Sequence, residues 1–346
     1  MRRMAKFVLR IIYCSGSIAA GIILFVCLAS KCKENDTQTQ HAAERIYIQP
    51  AINALVSPSI DQLRMSTTRA IYSEDITIVT AYFDIGTFQK GNKKPRTFTK
   101  KMYEKRLEEY GRLTNNLVAF FDDRRIYENF KKIREARMRN TKLFLINRNE
   151  RLRSFQMIGK VREVLSSDGY PQFSPDTVVP EYGCAMNAKY ELVQWAANEN
   201  YFNTSYFAWF DGGFFQNQTD SRPFTLATPP GFDPSKVAYG QILPRNRNLS
   251  PRQIFLTNQY WVCGCVFLAR RDVMQRWTQL YRSYSEAFLR QGLASTDEQV
   301  LYAMFSNKIK KPPIRIQMYW ERPAVNIWSV LGYLMKNNWN HRFGFA

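Results

Sequence analysis

Histidine is nearly missing from this chain. Two occur in 346 residues, His41 and His341, so a nucleophile–histidine–carboxylate triad has almost nothing to be built from. There is no Gly-x-Gly-x-x-Gly and no Walker pattern, the two familiar signatures of phosphate-cradling loops. Zinc-finger spacing is absent, as is the Lys/Arg-Gly-Phe signature of an RNA-binding sheet. No internal repeat occurs. Acidic residues are few beside basic ones, 29 against 49, giving a formal net charge of +20. Such a field attracts polyanions: nucleic acid, anionic membrane, nucleotide phosphates or sulfated glycans. The excess gathers between Lys90 and Arg153, with 20 Lys/Arg against 8 Asp/Glu, yet it forms no pure block of five or six like charges. Acids alternate with bases there, as in solvated helix faces rather than a nucleic-acid tail. No nucleic-acid partner is expected.

The hydrophobic share, 45%, and the aromatic share, 14%, are rich enough for a real core. Six cysteines occur. Cys14 and Cys27 lie in an N-terminal apolar stretch, and Cys32 follows it. Cys184, Cys263 and Cys265 are left for the folded part, an odd number. Cys263-Gly264-Cys265 is too short for the usual Cys-x-x-Cys spacing. Cys184 could bridge to either neighbour of Gly264, or the thiols could stay buried and free.

Arg2, Arg3, Lys6 and Arg10 precede a charge-free stretch within residues 7–30, roughly twenty residues and long enough for the ~30 Å hydrocarbon core. The positive flank predicts a cytoplasmic tail (residues 1–10), a transmembrane signal anchor (11–30), a polar stem (31–73) and a lumenal domain (74–346). That is a single-pass type II membrane protein of the Golgi or endoplasmic reticulum. Cys27-Leu28-Ala29 offers the rival, a cleaved signal peptide and a secreted chain. Sequons at Asn35, Asn203, Asn217 and Asn248 fit either route.

Hydrophobic patterning gives strands at 76–83, 116–121, 142–146, 206–210, 259–269 and 314–318. Between them lie helices at 101–113, 152–165, 184–199 and 271–290, and a short one near Thr296. Alternation of this kind predicts an α/β domain with a mainly parallel sheet flanked by helices. Residues 220–252 read as a long loop.

Five sets of residues could carry chemistry. Tyr206–Phe210 is an apolar strand ending in Asp211-Gly212-Gly213. A carboxylate at a strand's carboxyl end is a metal or substrate ligand in many α/β enzymes, with the glycines allowing close approach. The competing reading is a type I′ hairpin tip at Asp-Gly. Ser295-Thr296-Asp297-Glu298 offers a base or hydroxyl binder in Asp297 or Glu298, or else a capping box. Cys263-Gly264-Cys265 is a small break in an aromatic strand, serving a ligand or core packing. His341 is a metal or phosphate ligand, or a surface residue near the terminus. Asp84, closing the first strand before Gly86, marks the edge of a nucleotide pocket.

In order, the opening strand Ile76–Asp84, Met186-Asn187-Ala188-Lys189, Tyr206–Gly213, Cys263–Phe267 and Asp297-Glu298-Gln299-Val300-Leu301 resemble the HtrL/YibB family. Its bacterial members are linked to lipopolysaccharide core genes and regarded as glycosyltransferases. The layout is also similar to GT-A glycosyltransferases, Rossmann-like folds. The resemblance spans about Asp75 to Phe305. It implies transfer of a sugar from a nucleotide-sugar donor to a glycan or glycoconjugate acceptor. It places Asp211, with Gly212, Gly213 and Asp84, at the donor, and Asp211 and His341 on Mn²⁺ or Mg²⁺. Asp297 and Glu298 fall by the reaction centre, and Cys263, Gly264 and Cys265 on the acceptor side. Gly213 stands where an Asp-x-Asp motif carries its second carboxylate. That departure supports the alternative, an inactive GT-A-like module that binds glycans or a lumenal protein.

Overall fold

The computed structural model describes residues 73–91, 94–216, 222–320 and 326–336. The expected cytoplasmic tail, anchor and stem lie outside these residues, except for the first strand's opening residue, Ser73. His341, Asn35 and Asn217 also lie outside them. No described helix is long and apolar enough to cross a membrane.

Nine strands are present among the described residues: β1 (Ser73–Tyr82), β2 (Phe88–Lys90), β3 (Arg96–Phe98), β4 (Asn116–Phe121), β5 (Thr141–Leu145), β6 (Thr204–Phe210), β7 (Val237–Gln241), β8 (Val262–Arg270) and β9 (Ile316–Tyr319). Ten α-helical segments accompany them: α1 (Lys100–Leu107), α2 (Arg124–Ile133), α3 (Arg148–Arg151), α4 (Arg153–Gln156), α5 (Ile158–Leu165), α6 (Pro180–Glu199), α7 (Pro251–Leu256), α8 (Arg271–Arg290), α9 (Asp297–Met304) and α10 (Val330–Met335). Seven strands form one sheet in the order β5-β4-β1-β6-β8-β7-β9, while β2 and β3 make a separate hairpin. Within the sheet only β8 opposes the rest, pairing antiparallel with both β6 and β7. The mainly parallel α/β fold expected from the sequence is present.

Both faces of the sheet are buried because both have helices to meet. Alternation along β1 sends Ile76, Ile78 and Tyr82 to one face, where Leu107 of α1 and Ile126 and Phe130 of α2 pack. Val79 goes to the other face, against Ala188, Leu192 and Val193 of α6 and Trp277 and Tyr281 of α8. On β6, Phe207 and Trp209 share the α6 face, and Ala208 and Phe210 the α1 face.

Several boundaries move. The helix from Pro180 begins at the proline itself, whose fixed φ and missing N–H suit a first turn. The stretch 152–165 breaks into α4 and α5. The loop at 220–252 contains β7, a five-residue strand wedged between β8 and β9. Its sequence, Val-Ala-Tyr-Gly-Gln, is too short for periodicity to separate it from its polar flanks.

The chain runs outward from β1 to β4 and β5, then returns along α6 to β6 on the opposite side of β1. Adjacent carboxyl ends therefore diverge at β1 and β6, the crevice where open α/β sheets bind ligands. Asp84 and Asp211 follow those two strands.

Candidate active site

Asp211 extends the alternation of β6. Phe207, Trp209 and Asp211 share a face, so the carboxylate is turned toward α6. Its amide donates to the Cys265 carbonyl (3.0 Å), adding one rung beyond the β6–β8 ladder. A hairpin tip is thereby excluded, because the antiparallel partner of β6 arrives some fifty residues later. Trp209 Nε1 donates to Asp211 Oδ1 (2.7 Å). Lys189 Nζ lies 3.1 Å from the same oxygen.

Lys189 is the residue around which the site is built. It sits on the inward stripe of α6, 2% exposed. Its ammonium donates to the Gly264 carbonyl (3.1 Å) and to Asp297 Oδ2 (3.3 Å) in addition to Asp211. Burial opposes its charge, but Asp211, Asp297 and Glu298 outweigh that and hold it protonated well above the ordinary lysine range. Lysine belonged to the motif read from the sequence without any role assigned to it. Its place in the i, i+4, i+7, i+11 stripe Ala185–Lys189–Leu192–Ala196 puts a long cation on an otherwise apolar face, a pattern too weak by itself to set it apart from a surface lysine.

Asp297 and Glu298 open α9, and no capping box forms. Thr296 precedes the helix without a side-chain cap. Its hydroxyl instead donates to Glu298 Oε2 (3.1 Å) and Gln299 Oε1 (2.7 Å). Asp297 is fully buried, and its Oδ1 has no hydrogen-bond partner among the described residues. Burial, then Lys189 pulling down and Asp211 pushing up, leaves its carboxyl at about 6. Glu298 is half-buried and accepts from the Gly264 amide (3.4 Å). Desolvation and the neighbouring Asp297 charge raise it to about 7, against the opposing pull of Lys189 and Lys90.

Gly264 lies between these groups, but not to admit a ligand. A Cβ there would land inside the Asp297 carboxylate. Gly264→Ala must therefore push a fully buried charge off its lysine. The expected loss is about 3 kcal/mol or more of stability, from overpacking plus a broken buried pair, read as a lowered midpoint in urea unfolding. Gly212 and Gly213 are also packed rather than open. A Cβ at 212 would stand 3.2 Å from the Ala81 carbonyl, and one at 213 would stand 3.1 Å from Arg106 Cδ. The flanking cysteines are joined to each other, Cys263 to Cys265, and Cys184 is a free buried thiol. A bridge from Cys184 to Cys263 or Cys265 is excluded.

Positive charge rims the carboxylates. Lys90, at the end of β2, donates to the Tyr182 hydroxyl (3.2 Å). The Arg106 guanidinium covers the rings of Phe98 (5.1 Å) and Tyr103 (5.3 Å). The buried Tyr103 phenol is raised above its ordinary range by desolvation, with Lys90, Arg106 and Lys189 pulling it down and Asp211 pushing it up. Asp84 belongs to a neighbouring cluster. Lys100 bridges Asp84 (3.1 Å) and Asp123 (2.5 Å), and Arg148 holds Asp122 (2.5 Å) at the carboxyl ends of β1 and β4.

The described residues do not fit a divalent ion. No three His, Cys, Asp or Glu side chains among them gather as ligands. The space between Asp211 and Asp297, where an ion would bridge them, is filled by the Lys189 ammonium. Only Asp211, one-third exposed, presents a carboxylate to the cleft from that pair. Of the predicted residues, Asp211, Asp297, Glu298 and Gly264 come together, and His341 lies outside the described residues. Asn203 and Asn248 are both exposed.

A family model described as "Bacterial protein of unknown function (HtrL_YibB)" matches residues 74–313. No curated protein matches the chain. Among solved structures, the mannosyltransferase Ktr4p from S. cerevisiae aligns at 10% identity over 81% of this chain and 80% of that one, with a TM-score of 0.35. Core-mannan synthase A (CmsA/Ktr4) from Aspergillus fumigatus, solved in its Mn/GDP form, aligns at 6% identity over 71% and 74%, with a TM-score of 0.32. At those scores the likeness decides neither fold nor activity.

Proposed function

The chain belongs to the HtrL_YibB family, and on that premise we propose that its folded region is a GT-A-like glycosyltransferase domain. It transfers a sugar from a nucleotide-sugar donor to a hydroxyl of a glycan or glycoconjugate. The observation that carries this reading is the gathering of Asp211 and Asp297 on the buried Lys189, with Glu298 alongside, at the crevice where β1 and β6 diverge. Carboxylates with shifted proton affinities gathered on one buried cation are a common mark of a functional site.

Glu298 takes the proton of the acceptor hydroxyl, and its raised affinity near neutrality suits that task. The acceptor oxygen bonds to the donor's anomeric carbon. The bond from that carbon to the phosphate oxygen breaks, and its electron pair leaves with the nucleoside diphosphate. Lys90 and Arg106 offset the charge of the diphosphate. Asp211 accepts hydrogen bonds from the donor sugar. Asp297 is sealed from solvent and acts through Lys189, as a positioning residue. No step runs through a metal ion, since the described donor atoms do not form a site for one. We read residues 1–30 by composition as the anchor of a type II membrane protein of the secretory pathway, a reading with which the exposed sequons at Asn203 and Asn248 agree.

The test is hydrolysis of a panel of UDP- and GDP-sugars by the purified chain. Asp211→Asn keeps the shape and removes the charge, and turnover is expected to fall by about 10²-fold with the thermal midpoint reported alongside. Equal turnover by wild type and Asp211→Asn removes the catalytic role. A wild type that binds no sugar nucleotide leaves the glycan- or protein-binding module in its place.

A further inference from the structure

We infer that the β2–β3 hairpin and helix α1 form an anion-recognising rim beside the cleft, and that the acceptor held there is an acidic glycan, one bearing carboxylate or sulfate groups. The inference deepens the transferase reading and rests on it for the word acceptor.

From Thr87 to Arg106 the chain carries eight Lys/Arg and one acid. That acid, Glu104, is taken by Arg125 of α2 (2.5 Å). Lys100 is engaged by Asp84 and Asp123. Lys90, Lys94, Arg96, Lys101 and Lys105 are all exposed, and none has an acidic partner among the described residues.

Two pairs of these cations stand where local rules call for opposite charges. Lys90 and Arg96 are register partners across the hairpin, and like charges directly opposite one another repel. Lys101 and Lys105 are one helical turn apart on α1, where a like-charge pair is again unfavourable. Local rules are commonly broken at functional sites, and a cluster of unneutralised cations is an electrostatic footprint for an anion.

The hairpin is fixed in place. The Gly91 amide donates to the Ser174 carbonyl (3.0 Å), and the Ser174 hydroxyl donates to the Gln89 carbonyl (2.8 Å). Phe88 and Phe98 stack with centroids 5.4 Å apart, on the hairpin face that also carries Lys90 and Arg96. Phe88 meets Tyr182 of α6 as well (5.2 Å). That face is therefore turned to the site, where Lys90 reaches the Tyr182 hydroxyl and lowers the Glu298 carboxyl. Strand β3 runs straight into α1 through its cap, Thr99, and Arg106 of α1 packs beside Gly213. The rim begins at the cleft with Lys90 and Arg106 and continues on exposed positions through Arg96, Lys94, Lys101 and Lys105.

The surroundings of these charges select the partner. Phe88 is 5% exposed, and the Arg106 guanidinium covers Phe98 and Tyr103. A nucleobase has no open ring there on which to stack. Met102 is the one large apolar side chain exposed on α1, too little for insertion into a lipid surface. A glycan bearing carboxylates or sulfates needs neither. Its charges lie along the rim while one hydroxyl reaches Glu298.

The experiment is isothermal titration calorimetry on the purified full chain, in an uncharged detergent at physiological ionic strength. Chondroitin sulfate and hyaluronan hexasaccharides are the probes, with maltohexaose as the uncharged control and a thymidylate hexanucleotide as the nucleic-acid control. At least one acidic hexasaccharide is expected to bind about tenfold or more tightly than maltohexaose. Hyaluronan binding assigns carboxylate recognition, and binding of chondroitin sulfate alone assigns sulfate; either supports the rim. The variant Lys94→Gln/Arg96→Gln/Lys101→Gln/Lys105→Gln should weaken that binding by about tenfold or more, as four exposed ion pairs of modest strength add up. A control variant carries Lys131→Gln, Lys132→Gln, Arg139→Gln and Lys142→Gln, all exposed. It lowers the net charge equally and should lose less than about threefold. The thermal midpoint of the rim variant should hold or rise, because repulsion has been removed. No acidic hexasaccharide bound, maltohexaose bound equally, an equal loss in the control variant, thymidylate bound more tightly than both acidic sugars, or lost binding with a lowered midpoint each overturns the inference. Rim-dependent binding by a chain that hydrolyses no sugar nucleotide supports the rim and rejects the transferase. Hydrolysis with no acidic hexasaccharide bound rejects the rim alone.

Discussion

Lys189→Met is expected to lower the stability of the folded region by about 3–5 kcal/mol, the usual cost of leaving a buried charge without its partner. The stranded group is Asp297. It is fully buried, its Oδ1 already lacks a hydrogen bond, and its Oδ2 has Lys189 as counter-ion. Asp211 is less exposed to the change, because it is one-third open to solvent and keeps the Trp209 indole. The effect should depend on pH in a fixed sense. Asp297 already has a carboxyl raised to about 6 by burial, and loss of the lysine raises it further. Protonation removes the stranded charge, so the deficit is smallest at pH 5 and grows as pH rises through neutrality. Adding Asp297→Leu to Lys189→Met removes both charges and should recover more than half of the loss. Urea unfolding of the four proteins at pH 5 and pH 8 measures the cycle. A double variant as unstable as Lys189→Met alone would show that the pair is not the source of the cost.

The strands at the centre of the sheet were legible because their composition is extreme. Ile76–Tyr82 and Tyr206–Phe210 are β-branched or aromatic runs bounded by polar residues, and both lie where expected, within three residues. The β2–β3 hairpin and β7 were hidden for the opposite reason. They are three to five residues long, and their partners, not their own pattern, make them strands. The site divides along the same line. Asp211, Asp297 and Glu298 could be named because a carboxylate at the end of an apolar strand, or ahead of an apolar helix, interrupts a pattern. Lys189 could not, since a single lysine within twenty helical residues reads as a surface charge until the fold sets it under β6. Gly264 was noticed for its size but given the wrong neighbour. The void it leaves is occupied from within the chain by Asp297, 33 residues further on, and no local spacing announces that.

Glu298→Gln is the variant with the largest expected effect on turnover, a fall of about 10²- to 10⁴-fold for loss of a general base, with little change in stability because the amide keeps the shape, its oxygen still accepts from the Gly264 amide, and the Thr296 hydroxyl keeps Gln299. The pH profile identifies the role. Glu298 must be ionised to accept a proton, and its carboxyl is raised to about 7. Wild-type kcat/KM should therefore rise with pH through about 7 and fall tenfold per unit below it, whereas the residual activity of Glu298→Gln should lack that limb. The position of the limb also carries a sign. Lys90 pulls the Glu298 carboxyl down from an exposed position on β2, so Lys90→Met should move the inflection to higher pH whatever it does to the height of the curve. Asp297→Asn removes a charge that pushes Glu298 up, so the inflection should move to lower pH in whatever fraction of that variant folds. Opposite displacements from the two substitutions are the signature expected of a titrating group that both Lys90 and Asp297 influence, as Glu298 is. A limb that stays in place in both variants would assign the proton transfer to another residue.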